Sequence, residues 1–429
     1  MFQRLKIERL GQRGEGIAQG RDATVFVPYA LPGDEVMADV DGERGTLAEI
    51  VSPSRERIEP FCRYYSVCGG CAVQALKDET YREWKRGLVT AALDHAGATA
   101  HVEALQDAHG EGRRRATFHA RIFRDGLNRP SVRSGFMRAR AHEIVDIEAC
   151  PILAPAMEKA PAAARAIAIA LQSLDKPLDI TLTASMEGLD ADFRGTGKIN
   201  EELQQALVKV AARLDLARIS NHGEIVIERR APKLRMGRAL LTPPPGAFLQ
   251  ATQAGEDALA ALVTGRIDRH AKKAKHVADL FAGLGTFSLR LAERASVHAV
   301  ESETSALTAL TNAARNERNL KDVTTEARDL FRRPLVADEL KTFDAVVIDP
   351  PRAGADAQMR EMAKSSVPLV VSVSCNVQTF ARDARLLIDG GYTMGPVTPV
   401  DQFRHSPHVE MIAAFTKAPK PASKRRLLG

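Results

Sequence analysis

Alternation of apolar and polar positions marks the first 54 residues. Ile7, Leu10 and Ile17 lead into Thr24-Val25-Phe26-Val27-Pro28, and Val36, Ala38 and Val40 then stand two apart. Gly14-Glu15-Gly16 and Pro32-Gly33-Asp34 supply the turns. Side chains two apart share one face of a strand, so this stretch predicts a small β-barrel. Further on, a helix is expected from Asp78 to about His95, carrying Trp84, and an Ala-rich helix near Ala154–Leu174. Leu178, Ile180 and Leu182 alternate into Glu187-Gly188, which reads as a hairpin, and Ile225-Val226-Ile227 as another strand.

From about residue 236 strands and helices take turns. His276–Leu280, Val297–Val300, Ala345–Ile348 and Leu369–Val373 read as strands, with helices over Thr286–Ala295 and near Thr304–Arg318. That alternation is the signature of a doubly wound sheet. The expected organisation is multidomain α/β: a barrel at 1–54, a central α+β domain at 55–235, a Rossmann-like domain at 236–416 and a tail at 417–429. Helix 78–95 is placed to pack on the Rossmann-like domain. A length of 429 residues is too great for one ordinary core, which agrees with this division.

Composition adds compartment and charge. No run of eighteen apolar residues exists, and Met1-Phe2-Gln3-Arg4-Leu5-Lys6 lacks the apolar stretch of a secretion signal. With five cysteines, an odd number, disulfides are not expected, and the reading is a cytoplasmic monomer with no membrane contact. The net charge of +6 is uneven: Arg113 to Arg140 holds nine arginines and one acid, Asp125. A solvated face interleaves both signs, so this run is expected to grip a nucleic-acid backbone. The tail from Lys417 has five basic residues and no acid, and reads as a disordered arm.

Candidate chemistry falls into two groups. Cys62-x5-Cys68-x2-Cys71, completed by Cys150, has the clustering used to ligate an iron–sulfur cluster or a zinc ion. In the second group, Asp279-Leu280-Phe281-Ala282-Gly283-Leu284-Gly285-Thr286 turns a strand into a helix through two glycines. Ser288 stands where a dinucleotide loop would carry its third glycine, and Glu301, twenty-two residues after Asp279, is placed to accept ribose hydroxyls. S-adenosyl-L-methionine (AdoMet) therefore fits better than NAD. Asp349-Pro350-Pro351-Arg352 closes the next strand; an aromatic after the prolines would suit amino-group methylation, and Arg352 argues against it. Cys375, at a strand end, reads either as a small buried hydrophobe or as a nucleophile, and Glu410 either as a surface acid or as a base.

Taken in order, these segments resemble the RNA uracil-5 methyltransferase family, in particular its iron–sulfur branch acting on 23S ribosomal RNA. The resemblance runs through the TRAM-like, OB-like start, the cysteines, Arg113-Arg114-Arg115, Ile144-Val145-Asp146-Ile147, Phe248-Leu249-Gln250, the glycine loop, Asp349-Pro-Pro-Arg, Ser374-Cys375-Asn376 and His408-Val409-Glu410. It implies a [4Fe–4S] cluster on Cys62, Cys68, Cys71 and Cys150. It implies AdoMet contacts from Gln250, Phe281, Thr286, Glu301, Asp329 and Asp349, with Cys375 as nucleophile and Glu410 as base. A thiolate suits that chemistry because carbon 5 of uracil becomes nucleophilic only after addition at carbon 6. The chain departs from the family at Thr286, where asparagine is usual, at Thr252, and at Phe403-Arg404, where Phe-Pro is usual. The implied partner is RNA, 23S ribosomal RNA first and transfer RNA second, and not DNA. A non-catalytic RNA-binding or assembly factor of the same fold is the alternative from another class.

Overall fold

The computed structural model describes residues 1–124, 126 and 130–418; Asp125 and Arg129 of the arginine run, and tail residues 419–429, lie outside it. The first 52 residues form a six-stranded sheet in the order Phe2–Lys6, Glu35–Asp41, Arg44–Ser52, Thr24–Val27, Gly16–Gln19, Arg9–Leu10. Its inward positions are those of the alternating pattern: Ile7, Val25, Val27, Val36, Ala38 and Val40 share one small core. Leu10 departs from that pattern and packs instead against the core of the C-terminal sheet.

The central part is a seven-stranded sheet running Ile144–Asp146, Pro130–Met137, Arg115–Arg124, Leu178–Ser185, Gly188–Arg194, Arg218–Asn221, Glu224–Glu228. The hairpin pairs Ser185 with Gly188 across its turn. Helices Ala160–Ala170 and Glu201–Leu214 cover this sheet with a core of Ile167, Leu171, Leu207 and Ala211. The Ala-rich helix is shorter than its composition suggests. Pro161 has no amide hydrogen and is accommodated only in a first turn, so the segment breaks into a 3₁₀ turn at Pro155–Met157 and a helix from Ala160.

The C-terminal sheet carries the site. Its parallel strands lie in the order Val323–Ala327, Ser296–Glu301, His276–Leu280, Ala345–Ile348, Leu369–Ser374, followed by antiparallel Glu410–Thr416 and then Thr398–Asp401. Gln106–Asp107 adds an edge strand beside Thr398–Asp401. The helix Asp78–His95 packs on this sheet layer beside Val377–Asp389, sharing a core that holds Val89, Leu93, Phe380 and Leu387. Residues 78–107 therefore join the C-terminal layer although they precede the central sheet in sequence. The helix expected over Thr286–Ala295 shrinks to Ser288–Leu291, because Gly285 at φ +89° delays regular helix and the turns after Leu291 tighten to three-residue spacing. Among the described residues no helix is long and apolar enough to cross a membrane.

Candidate active site

Parallel strands leave their carboxyl ends along one edge, and the expected cofactor residues lie there. Phe281 follows the first strand at φ +60°, Glu301 ends the second, Asp329 stands two residues past the third, and Asp349 follows the fourth. The two loop glycines do different work. A Cβ on Gly285 would sit 2.4 Å from Leu310 Cδ1, so glycine lets the helix Thr304–Asn316 approach. A Cβ on Gly283 would meet nothing within 4 Å, so its face of the loop borders open space. Glu301 Oε2 accepts from Gly283 N at 3.0 Å, which fixes the loop against the next strand.

Phe281 and Phe331 lie with ring centroids 5.3 Å apart, and Asp329 Oδ1 caps Phe331 N at 3.0 Å. Phe331 is half exposed, so this pair offers an apolar wall beside a carboxylate. Asp279, fully buried, accepts from Ser288 Oγ at 2.6 Å through one oxygen while Oδ1 has no partner. Burial pushes its pKa up to about 7. An orphaned buried acceptor, open space at Gly283 and an exposed aromatic pair together fit a bound nucleoside carrying a positive charge. Thr286 is half buried at the loop's end, where its carbonyl accepts from Arg290.

Three neighbouring strand ends bring the reactive candidates together. The register that pairs Ser374 with Met411 sets Cys375, one residue on, beside Glu410, while Asp349 leaves the strand on the other side. Burial raises the Cys375 thiol to about 12, and the nearby Glu410 and Asp349 add to the shift. Asp349 is raised by burial and then by Glu410; Glu410 is raised by burial, against the opposing effects of Gln402, Arg352 and Lys85. Glu410 is 2% exposed, so it is not a surface acid. The charge of Glu410 adds to the rise at Asp349, so the two buried carboxylates disfavour being ionised together.

Gln402 joins the two acids, and nothing in its local sequence marks it for that part. Gln250 Nε2 donates to Asp349 Oδ2 at 3.2 Å, Gln402 Nε2 donates to Gln250 Oε1 at 2.6 Å and to Glu410 Oε1 at 3.0 Å. The loop 401–410 is held from behind by the helix Asp78–His95. Lys85 Nζ donates to Asp401 Oδ1, to Phe403 O at 3.1 Å and to His408 O at 2.7 Å, and Tyr81 receives His405 N at 3.0 Å. His408 accepts from Arg352 at 3.2 Å, and burial lowers its pKa to about 4, which suits a neutral ring facing a guanidinium. No sequence signal points from residue 85 to this loop.

Cys62, Cys68, Cys71 and Cys150 line one largely apolar cavity together with Phe136 and Ile147. Burial raises Cys68, Cys71 and Cys150, and in each case other thiols of the set raise it further. Arg113 also faces this cavity and counters the rise at Cys71. Among the described residues no group of three or more His, Cys, Asp or Glu side chains is placed to hold a metal ion; the four thiols share the lining of the cavity. Ala72 N and Val73 N donate to His405 O at 2.8 and 3.2 Å, linking this cysteine loop to loop 401–410.

The arginine run does not form one exposed face. Arg114 is buried against Glu256 and donates to Gln250 O at 3.2 Å. Arg113 and Arg115 are half buried and burial lowers both. Arg140 pairs with Glu15 of the first sheet at 2.6 Å, and Arg138 with Glu143 at 2.8 Å. Arg121 remains exposed, as do Arg124 and Arg138. Arg133 and Arg140 are exposed as well, so the inward members are the first three, of which Arg114 meets Glu256 of the C-terminal part.

Comparison with known proteins now decides the family. Residues 246–417 match the family model described as tRNA (Uracil-5-)-methyltransferase. An uncharacterised RNA methyltransferase of Brucella melitensis is 44% identical over 96% of this chain and 97% of its own length. The chain belongs to the RNA (uracil-5-)-methyltransferase family. The 23S rRNA (uracil(1939)-C(5))-methyltransferase RlmD of Halomonas elongata is 32% identical over 99% of this chain and 91% of its own. The crystal structure of Pyrococcus abyssi tRNA (uracil-54, C5)-methyltransferase with S-adenosyl-L-homocysteine shares the fold at a TM-score of 0.73 and 23% identity, covering 96% of this chain and 99% of that one. Family membership fits the cofactor edge described above, since the class it names transfers methyl groups.

Proposed function

We propose that the protein methylates carbon 5 of a uridine in 23S ribosomal RNA, using AdoMet and a covalent Cys375 adduct. The observation that carries this reading is the convergence of Cys375, Glu410 and Asp349 at three adjacent strand ends. The relative from Halomonas elongata spans all parts of this chain and favours ribosomal over transfer RNA. A non-catalytic role would leave the buried acids and thiol without a use, at a cost to stability.

The bound cofactor would supply a methyl group made electrophilic by its sulfonium. Glu301 and Asp329 would hold the ribose and adenine side, Phe281 would stack, and Gln250, Thr286 and Asp349 would orient the remainder. Cys375 Sγ, as thiolate, adds to carbon 6 of the uracil, and the double-bond pair moves to carbon 5 and the carbonyl. After carbon 5 has gained the methyl, with S-adenosyl-L-homocysteine as the leaving group, Glu410 takes the carbon 5 proton. The pair left behind re-forms the carbon 5–carbon 6 double bond and expels the thiolate.

Cys62, Cys68, Cys71 and Cys150 would hold a [4Fe–4S] cluster; the reading is supported by the one cavity they line beside the Arg113 guanidinium, whose charge would offset that of the cluster. Its part would be to fasten the cysteine loop to the central sheet; methyl transfer is polar and needs no electron. The TRAM-like sheet would hold RNA beside the target. Mass-spectrometric mapping of 5-methyluridine in ribosomal and transfer RNA, with and without the gene, tests the assignment. Loss of the modification from 23S rRNA is expected; loss from transfer RNA alone would redirect it, and no loss would refute it.

A further inference from the structure

Gln402 is fully buried, and all four hydrogen-bonding positions of its amide are used. Its Oε1 accepts from Ala251 N at 2.8 Å and from Thr252 N at 3.4 Å. Backbone N–H groups only donate, so the amide cannot be turned over. Nε2 must then point its two hydrogens at Gln250 Oε1 and Glu410 Oε1. Gln250, receiving at its own oxygen, must in turn aim its NH2 at Asp349 Oδ2. One buried amide thereby fixes the orientation of a second amide and of a carboxylate. The other oxygen of that carboxylate, Glu410 Oε2, is buried without any partner.

We propose that Gln402 is a positioning residue for the release half of the reaction. The inference rests on the reading of Glu410 as base. With Oε1 occupied by an N–H donor, the proton from carbon 5 goes to Oε2. The C–H electron pair re-forms the carbon 5–carbon 6 double bond, and the carbon 6–sulfur bond breaks to return thiolate. The hydrogen bond from Gln402 also favours the ionised carboxylate, the form that can accept a proton. Gly255 shows how closely Gln402 is fitted: a Cβ there would lie 2.6 Å from Gln402 Oε1. This assignment differs from a packing role, because a packing residue would not select between the two oxygens of Glu410.

The test separates addition from release. Transcribed 23S rRNA carrying [5-³H]uridine is mixed with enzyme and AdoMet; adduct is counted on a denaturing gel and proton removal by tritium release. Gln402→Glu keeps the size and the acceptor toward Ala251 but replaces the donor toward Glu410 with a second acid. Adduct should form at close to the wild-type rate while tritium release slows by on the order of tenfold to a hundredfold. The rising limb of release against pH should move to higher pH. Gly255→Ala, which displaces Gln402 without touching its chemistry, should slow release in the same selective way, so one folded variant suffices. Addition and release falling together with an unmoved pH limb would overturn the proposal. Glu410→Gln run in parallel tells the two failures apart. If it traps no adduct, the base reading itself is wrong; if it traps adduct while the Gln402 and Gly255 variants release normally, only this inference fails.

Discussion

Lys85 and Asp401, 316 positions apart in the chain, form a buried ion pair with Nζ 2.5 Å from Oδ1. The pair fastens the helix Asp78–His95 to the segment that ends in Glu410, so the geometry at the base depends on a helix that precedes the central sheet in sequence. Removing one member of a buried pair leaves the other uncompensated, and Lys85→Ala should cost about 3 to 5 kcal/mol. Chemical denaturation measures this; a loss below about 1 kcal/mol would show that the pair does not hold the loop.

Stability without ligand should fall as pH rises toward neutrality. Asp279 has its folded pKa raised to about 7, above the usual carboxylate value, so the native state binds the extra proton. A group raised in this way contributes fully below its unfolded pKa, and the contribution is lost as pH climbs through the folded value. Asp349 and Glu410 are raised as well and act in the same sense. The thermal midpoint of the ligand-free enzyme should therefore be higher near pH 5 than near pH 8, and a bound cation should reduce the difference. A midpoint that rises across this range would contradict the buried, protonated acids.

How much of the site is legible in sequence follows from the range of its interactions. Asp349, Cys375 and the glycine loop announce themselves because a strand end and the turn after it are neighbours in the chain. Gln402 reveals its part only when Gln250, 152 positions away, closes on it. Lys85 looks like an ordinary helix lysine until Asp401 meets it. Within the arginine run charge density does not say which way a side chain points: Arg114 turns inward to Glu256, while Arg121 and Arg133 stay exposed. Pro161 does carry a readable signal, since a residue without N–H belongs at a helix start.

The exposed part of that run should still bind RNA. Arg121→Glu with Arg124→Glu should weaken RNA binding and make its salt dependence shallower, by roughly one unit of slope for each phosphate that is no longer neutralised. AdoMet affinity, read by calorimetry, should stay unchanged because these residues lie on the central sheet. Unchanged RNA affinity with weakened AdoMet binding would place the run in the catalytic core.

Protein purified without oxygen should be brown, absorb broadly near 400 nm and contain iron, as iron–sulfur centres do. Cys150→Ser should remove the colour and loosen the N-terminal half, since Cys150 is the distant member of the set. A colourless protein with stoichiometric zinc would reverse the assignment of the four thiols.

Trapping of the covalent adduct tests the central claim most directly. Glu410→Gln incubated with 23S rRNA and AdoMet should accumulate a methylated protein–RNA species that survives a denaturing gel, and Cys375→Ala should yield neither adduct nor product. Free 5-methyluridine formed at the normal rate by either variant would contradict the mechanism.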